Sequence, residues 1–250
     1  MKAYIRKSID REISTINCAN AAYGFRLMGW EIDTYESISD ISELQPDDVV
    51  VGYIADIHAA LIRLGITPPL PINYPQELYP FLGRKIWLDR VNNIVEHAEL
   101  WNVFIKPARK CKKFTGKLIT TSQDLIGCGD ESEDSEIWCS EPVKFLSEWR
   151  CFVRYDRILG VYLYNGDWRL PVDPKIVEAA IATYKSAPAA YAIDFGVTDK
   201  GETLLVEVND GYATGNYGLP PLYYAQFLAS RWAEMTDADD YSISISQVFS

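Results

Sequence analysis

The chain is poor in metal-binding side chains. It has two histidines, His58 and His97, and none of its five cysteines (Cys18, Cys111, Cys128, Cys139, Cys151) belongs to a Cys-x-x-Cys pair. That spacing does not match a structural zinc site, and an odd cysteine count does not make a disulfide framework. Cys139 and Cys151 read as strand-core residues. No uninterrupted apolar run approaches the ~20 residues of a membrane span. Met1–Lys7 reads as a short strand broken by charges rather than a signal peptide with an apolar core, so the expected location is cytoplasmic. Repeats and low-complexity linkers are absent. Positive charge is scarce as well: 24 Lys and Arg against 35 Asp and Glu leave a net charge of −11. Binding a nucleic-acid backbone needs a broad basic surface, so nucleic acid is disfavoured as a partner. What remains is 250 residues with 48% aliphatic, aromatic and cysteine content, enough for one large domain or two small ones.

The scarce positive charge is concentrated. Trp101–Pro107 reads as a strand carrying Lys106, followed by the basic loop Arg109-Lys110-Cys111-Lys112-Lys113 and the strand-like Phe114–Ile119. Five of the 24 basic residues fall within Lys106–Lys113. A cationic cluster inside an acidic chain suggests a small anionic ligand such as a triphosphate. A solvated loop tip is the plainer alternative.

Two segments near the C-terminus carry the opposite charge. Ala192-Ile193-Asp194-Phe195-Gly196 and Leu205-Val206-Glu207-Val208-Asn209 read as strands joined by a turn at Asp199-Lys200-Gly201. A hairpin centred on Lys200-Gly201 sets Asp194 opposite Glu207 and Ala192 opposite Asn209, all on one face. Directly opposed carboxylates sit about 5 Å apart and repel. A cation between them, with the Asn209 amide oxygen, makes an oxygen-only set suited to Mg²⁺. A solvated acidic face is the alternative, and a three-residue turn with a bulge would break the register.

Between these parts lies Ile137–Val143, in which Pro142 lacks an amide hydrogen and turns a strand end into a linker. Glu148-Trp149-Arg150-Cys151-Phe152-Val153 follows. Glu148 and Arg150 share a face; the carboxylate suits a ribose diol and the guanidinium suits phosphate oxygens. An exposed ion-pair ladder is their structural alternative.

The first eighty residues alternate in a βαβ manner: strand Lys2–Arg6, a helix near Asn20–Met28, strand Glu31–Tyr35, strand Val49–Tyr53, and helix Ile54–Leu64 stopped by Gly65. Proline-rich Ile66–Pro75 marks a domain boundary, separating an N-terminal domain (1–75) from the remainder (76–250). A helix over Pro80–His97 is expected from the stripe Ile86, Arg90 and Asn93. Cys128–Ser135 reads as an exposed acidic loop. Helix Pro174–Lys185 opens on Asp173 as N-cap with Pro174 behind it. Strands follow around Tyr191, and a glycine-bearing loop, Asp210–Gly218, leads into a closing helix, Pro220–Met235.

The order of these parts resembles the ATP-grasp superfamily of carboxylate–amine and carboxylate–thiol ligases. The resemblance runs from about Lys85 to Tyr217. Its most specific element is the thirteen-residue step from Asp194 to Glu207 with Asn209 two further on. It implies ATP and Mg²⁺ as cofactors and a fold that is α/β and α+β, a small α/β N-terminal domain followed by a two-lobed ATP-grasp fold. Lys106 matches the strand lysine that contacts nucleotide phosphates, and Lys85 is the nearest candidate for the family's earlier lysine. Glu141 and Val143 match the hinge that reads adenine, Glu148 the ribose-binding glutamate, and Asp194, Glu207 and Asn209 the magnesium ligands. The segment Glu148–Val153 looks most like small bacterial and phage members related to peptide-forming ligases. Two departures stand out. Arg109–Thr115 contains no glycine, so side-chain ammonium groups such as Lys110 and Lys112 would replace backbone amides over the phosphates. Several ligases carry an arginine where this chain has Ala192, so Arg150, Arg169 or Lys175 would have to serve. The resemblance implies a ligase joining a small-molecule or peptide carboxylate to an amine, with Lys106 and Arg150 catalytic. The alternatives are a catalytically silent ATP-binding module and an ATP-grasp phosphotransferase. Neither the substrates nor the oligomeric state is legible in the sequence.

Overall fold

The computed structural model describes residues 1–8, 13–109, 114–129, 134–212 and 214–242. The chain opens with β1 (Lys2–Arg6), α1 (Ile16–Leu27), β2 (Glu31–Tyr35), β3 (Val49–Val51) and α2 (Ile54–Arg63). Thr15 caps α1 by accepting from the Cys18 amide, and Gly65, at φ 78°, ends α2 in the left-handed conformation glycine favours. The three strands form a parallel sheet in the order β2-β1-β3, as a βαβ alternation dictates.

A second sheet follows, built from β4 (Ile86–Arg90), β5 (Val103–Pro107), β6 (Lys117–Ile119) and β7 (Glu136–Ser140), with the short helix α3 (Val91–Glu96) after β4. Its order is β4-β7-β5-β6, antiparallel throughout. Of the expected helix over Pro80–His97 only α3 (Val91–Glu96) is helical beyond the 3₁₀ turn at its start, and Ile86–Arg90 is a strand. A 3₁₀ helix spans Gln76–Phe81, and Gly83, at φ 60°, turns the chain into β4. The stripe of Ile86, Arg90 and Asn93 carried a helical period. The run Ile86-Trp87-Leu88 instead found a partner strand in β7, and ladder pairing with a remote strand overrides local propensity. Ile105, Ile119, Ile137 and Cys139 are fully buried on one face of this sheet, with Ile94 of α3. The period of two sends Lys106 and Trp138 to the other face, directly opposite one another.

The third sheet comprises β8 (Phe145–Arg154), β9 (Arg157–Gly166), β10 (Ala190–Thr198) and β11 (Thr203–Asp210), in the order β11-β10-β8-β9. The sequence reading did not anticipate β9. Helix α4 (Pro174–Thr183) is capped by Asp173, which accepts from the Lys175 amide. It packs through Val177 and Ile181 against Tyr191, Ile193 and Phe195, along with Cys151 and Val153. On the opposite face, Ala190, Ala192 and Phe152 join the core of the N-terminal sheet. The closing helix, α5 (Pro221–Thr236), crosses that core against α1. Glycine is required where they meet: a Cβ on Gly24 would overlap the Pro221 carbonyl oxygen. Gly24→Ala is expected to cost about 1–3 kcal/mol by forcing the helices apart; a urea midpoint equal to wild type would count against this packing.

Candidate active site

The hairpin β10–β11 reaches its anticipated pairing by an unanticipated route. The turn holds three residues, Asp199-Lys200-Gly201, closed by the Thr198 amide donating to the Glu202 carbonyl, with Gly201 at φ 79°. That turn sets the register one residue off, with Val197 opposite Thr203 and Phe195 opposite Leu205. A bulge at Val206 restores it, so Asp194 faces Glu207 and Ala192 faces Asn209. The Arg84 guanidinium steadies the bulge by donating to the carbonyls of Leu205 and Val206, at 2.7 and 3.2 Å. On its other edge, β10 sets Asp194 opposite Arg150 of β8. Arg150, Asp194 and Glu207 thus form one row across three strands.

The two carboxylates in that row are each met by a cation. Asp194, with 0% exposure, receives Nε and Nη2 of Arg150 at 2.8 and 2.6 Å, a planar two-bond pairing. Glu207 receives the Lys106 ammonium at 2.5 Å from the second sheet, so this ion pair bridges the two sheets. The Asn209 amide nitrogen lies 3.2 Å from Asp194 and 3.0 Å from Glu207. Burial holds the Asp194 carboxyl up to about 6 against the pull of Arg150, with Glu207 and Glu148 adding to the rise. Burial would also raise Glu207, but Lys106 outweighs it and holds the carboxyl below its ordinary value; Lys106 is raised in turn. Both partners of that pair are charged.

Aromatic rings surround the cations. Lys106 sits 4.4 Å over the Tyr74 ring, and Arg150 lies 4.6 Å from Tyr217 and 5.5 Å from Tyr164. Glu148 is on the Arg150 face two residues away, its carboxylate held by the Tyr164 hydroxyl at 2.9 Å and the Asn165 amide at 2.7 Å. Glu141 lies in the linker between β7 and β8. It accepts from the Lys85 amide at 2.9 Å and returns its own amide to the Lys85 carbonyl. The Lys85 ammonium is over Trp87, 5.2 Å from its ring centre, and Val143 is half-buried in the same linker. Lys110, Cys111 and Lys112 lie outside the described residues. Arg169 is tied to Asp167, and Lys175 belongs to the first turn of α4, which packs on the sheet's other face. Of the three basic candidates for the place beside Asp194, the structure brings only Arg150 there. Ala192 cannot be replaced by arginine without charging a core that includes Phe152.

Sequence reasoning missed Tyr74, Arg84 and Tyr164. Tyr74 lies in the proline-rich segment read as a boundary. That segment is pinned to the sheet edge by reciprocal bonds between Asn73 and Val208. Nothing local to these residues signals a long-range contact.

Among the described residues no cluster of three or more His, Cys, Asp or Glu is arranged to hold a metal. The set here is two carboxylates and an amide. Its donor chemistry fits Mg²⁺: the carboxylate oxygens are hard, and turning the Asn209 amide about χ2 presents its oxygen in place of nitrogen. The two bound side-chain cations mark where positive charge is wanted.

Beside this cluster is a cavity of about 930 Å³, walled by the β3 end, the 68–71 linker, the loop after β11 and α5, with Tyr217 and Arg109 on its lining. Among the described residues no helix is long and apolar enough to cross a membrane.

Residues 81–227 match the family model described as ATP-grasp domain, R2K clade family 2. No curated protein matches the chain. Several solved structures share its fold. A D-cycloserine synthetase, DcsG, is 11% identical with a TM-score of 0.62, covering 93% of this chain and 100% of that one. The D-alanine–D-alanine ligase of Bacillus anthracis complexed with ATP is 14% identical at 0.57, covering 94% and 97%. The ATP-grasp ligase PsnB, complexed with minimal precursor, Mg and ADP, is 10% identical at 0.52, covering 92% and 97%.

Proposed function

Since this chain belongs to the ATP-grasp family, in family 2 of its R2K clade, we propose that it is an ATP- and Mg²⁺-dependent carboxylate–amine ligase. The observation that carries the reading is the row Arg150–Asp194–Glu207, with Lys106 reaching Glu207 from the facing sheet. Two cations and three oxygen-bearing side chains converge where a triphosphate would lie between sheets. The ATP of one structural neighbour and the Mg and ADP of another support the same reading.

In this mechanism Asp194, Glu207 and Asn209 would hold the metal, which when bound would screen charge on the phosphates. Lys106 and Arg150, released from their carboxylates, turn to the phosphate oxygens, where a point charge and a planar fork suit different geometries. The substrate carboxylate attacks the γ-phosphorus, the bond to the ADP oxygen breaks, and an acyl phosphate forms. An amine then attacks the acyl carbon, phosphate leaves, and the amine sheds a proton. Phosphoryl transfer asks the protein mainly for positioning and charge neutralisation, which this cluster supplies. Glu148 receives the ribose, and the Glu141–Val143 linker reads adenine with backbone groups.

The test is ADP and phosphate release across a panel of acids and amines, with mass spectrometry of the products. Amide product and amine-dependent ADP formation are expected. A phosphorylated hydroxyl product would instead indicate a phosphotransferase, and tight ATP binding without turnover a silent module. GTP supporting the same rate as ATP would remove the linker from adenine recognition, since a fixed donor–acceptor pair leaves guanine unpaired.

A further inference from the structure

The cavity beside the cluster has a distinct chemistry. Its size falls within the roughly 300–1,000 Å³ of small-molecule sites. The described lining is aliphatic (Val50, Leu70, Leu228), aromatic (Trp232) and hydroxyl-bearing, and it includes no Asp, Glu or Lys. Its one arginine, Arg109, is ion-paired with Glu136. His58 lies 2.9 Å from the Tyr212 hydroxyl, and burial pushes its imidazole below the ordinary value, so it is neutral at pH 7. An ammonium group taken into this space would find no carboxylate on the described lining, and the nearby Asp210 and Glu136 are already paired with Arg231 and Arg109, so the charge would go unpaired at a cost. An apolar or aromatic body is favoured there instead. Tyr217 joins the cavity to the reaction centre, since it lines the one and lies 4.6 Å from the Arg150 guanidinium in the other.

We propose that this cavity is the chamber of the acid substrate. That acid is an apolar or aromatic carboxylic acid with no ammonium inside the chamber: an N-acylated amino acid or the C-terminal end of a peptide, its carboxylate directed past Tyr217 to Arg150. The proposal rests on the ligase reading and specifies its substrate class. The amine partner approaches from elsewhere.

The test is thermal melting of the full chain with Mg²⁺ and the non-hydrolysable analogue AMP-PNP. Three probes are compared: N-acetyl-leucyl-phenylalanine, its C-terminal amide, and lysyl-lysine. The acid is expected to raise Tm by about 2–4 °C beyond AMP-PNP alone, and the other two to add nothing. Ala55, exposed on the cavity wall at the start of α2, gives a blocking variant. Ala55→Trp should abolish the shift from the acid and keep the shift from AMP-PNP. Asn17→Asp, which preserves the oxygen that accepts the Asn216 amide, adds a negative charge to the wall and should weaken the acid's shift. Equal shifts from the amide or lysyl-lysine, or an acid shift that survives Ala55→Trp, would overturn the proposal. So would AMP-PNP stabilisation with no response to the acid, and that outcome leaves the nucleotide site standing. Failure of Mg²⁺ and AMP-PNP to stabilise the wild type would overturn the ligase reading itself.

Discussion

Arg150→Met is expected to lower folding stability by about 3–5 kcal/mol, because it strands a buried carboxylate. Asp194 has 0% exposure, and without Arg150 its one remaining described side-chain donor is the Asn209 amide. Methionine fills much of the arginine's volume, so the loss reports charge rather than a cavity. Removing both partners, as Arg150→Met with Asp194→Leu, should recover most of the stability, since an apolar pair of similar volume avoids the desolvation cost. The deficit of the single variant should also depend on pH. Burial already raises Asp194 to about 6, and losing the guanidinium raises it further. A carboxyl whose folded pKa exceeds its unfolded value favours the folded state most below about pH 4. That advantage is lost as pH climbs through the folded pKa. The variant's deficit should therefore be larger at pH 8 than at pH 5. Urea unfolding at both pH values decides it: a deficit that shrinks with rising pH, or a double variant no better than the single, would break the assignment of Arg150 as the counter-charge.

Glu207→Gln should act at two levels. The sequence alone predicts relief of repulsion between Asp194 and Glu207, and so a neutral or stabilised protein without nucleotide. The structure reverses that sign. Lys106 holds Glu207 at 2.5 Å, so the change removes a charged hydrogen bond between sheets and should cost about 1–3 kcal/mol. With Mg²⁺–ATP the same variant lacks a charged oxygen ligand, so the rise in Tm that nucleotide gives the wild type should largely disappear. Lys106→Ala complements it: ATP affinity should fall at least about tenfold, or about 1.4 kcal/mol, for want of a phosphate-facing charge. Calorimetry on a folded Lys106→Ala protein with unchanged affinity would contradict the phosphate role. A Glu207→Gln protein that melts like wild type with and without Mg²⁺–ATP would contradict the metal role.

Much of the architecture was legible from local pattern. Runs rich in aliphatic, β-branched and aromatic residues located β1, β2, β3, β5, β8, β10 and β11. Asp173-Pro174 and Gly65 marked a helix start and a helix stop, because caps and left-handed turns are chosen by the residue that occupies them. The pairing of Asp194 with Glu207 was anticipated from a two-residue turn that is not there; the three-residue turn and the bulge at Val206 offset one another and arrive at the same partners. The helix expected over Pro80–His97 failed because the partner that makes Ile86–Arg90 a strand is β7, some fifty residues away. The strand β9 went unread although Ile158-Leu159-Gly160-Val161-Tyr162-Leu163-Tyr164 is rich in strand-forming residues, so that miss lay in the reading of a local signal.

The sequence by itself determined which strands carry charge, in what order, and which oxygen-bearing side chains share a face, because those follow from the step of the backbone. Only the tertiary structure decided what those charges meet. Lys106 reaches Glu207 because two sheets face each other, and Arg150 takes the place beside Asp194 because β8 pairs with β10 in one register. Ala192 is left to the core, and the bulge at Val206, steadied by Arg84, cancels the offset of a three-residue turn. Contacts between residues a hundred positions apart depend on how whole sheets pack, and no local propensity encodes that.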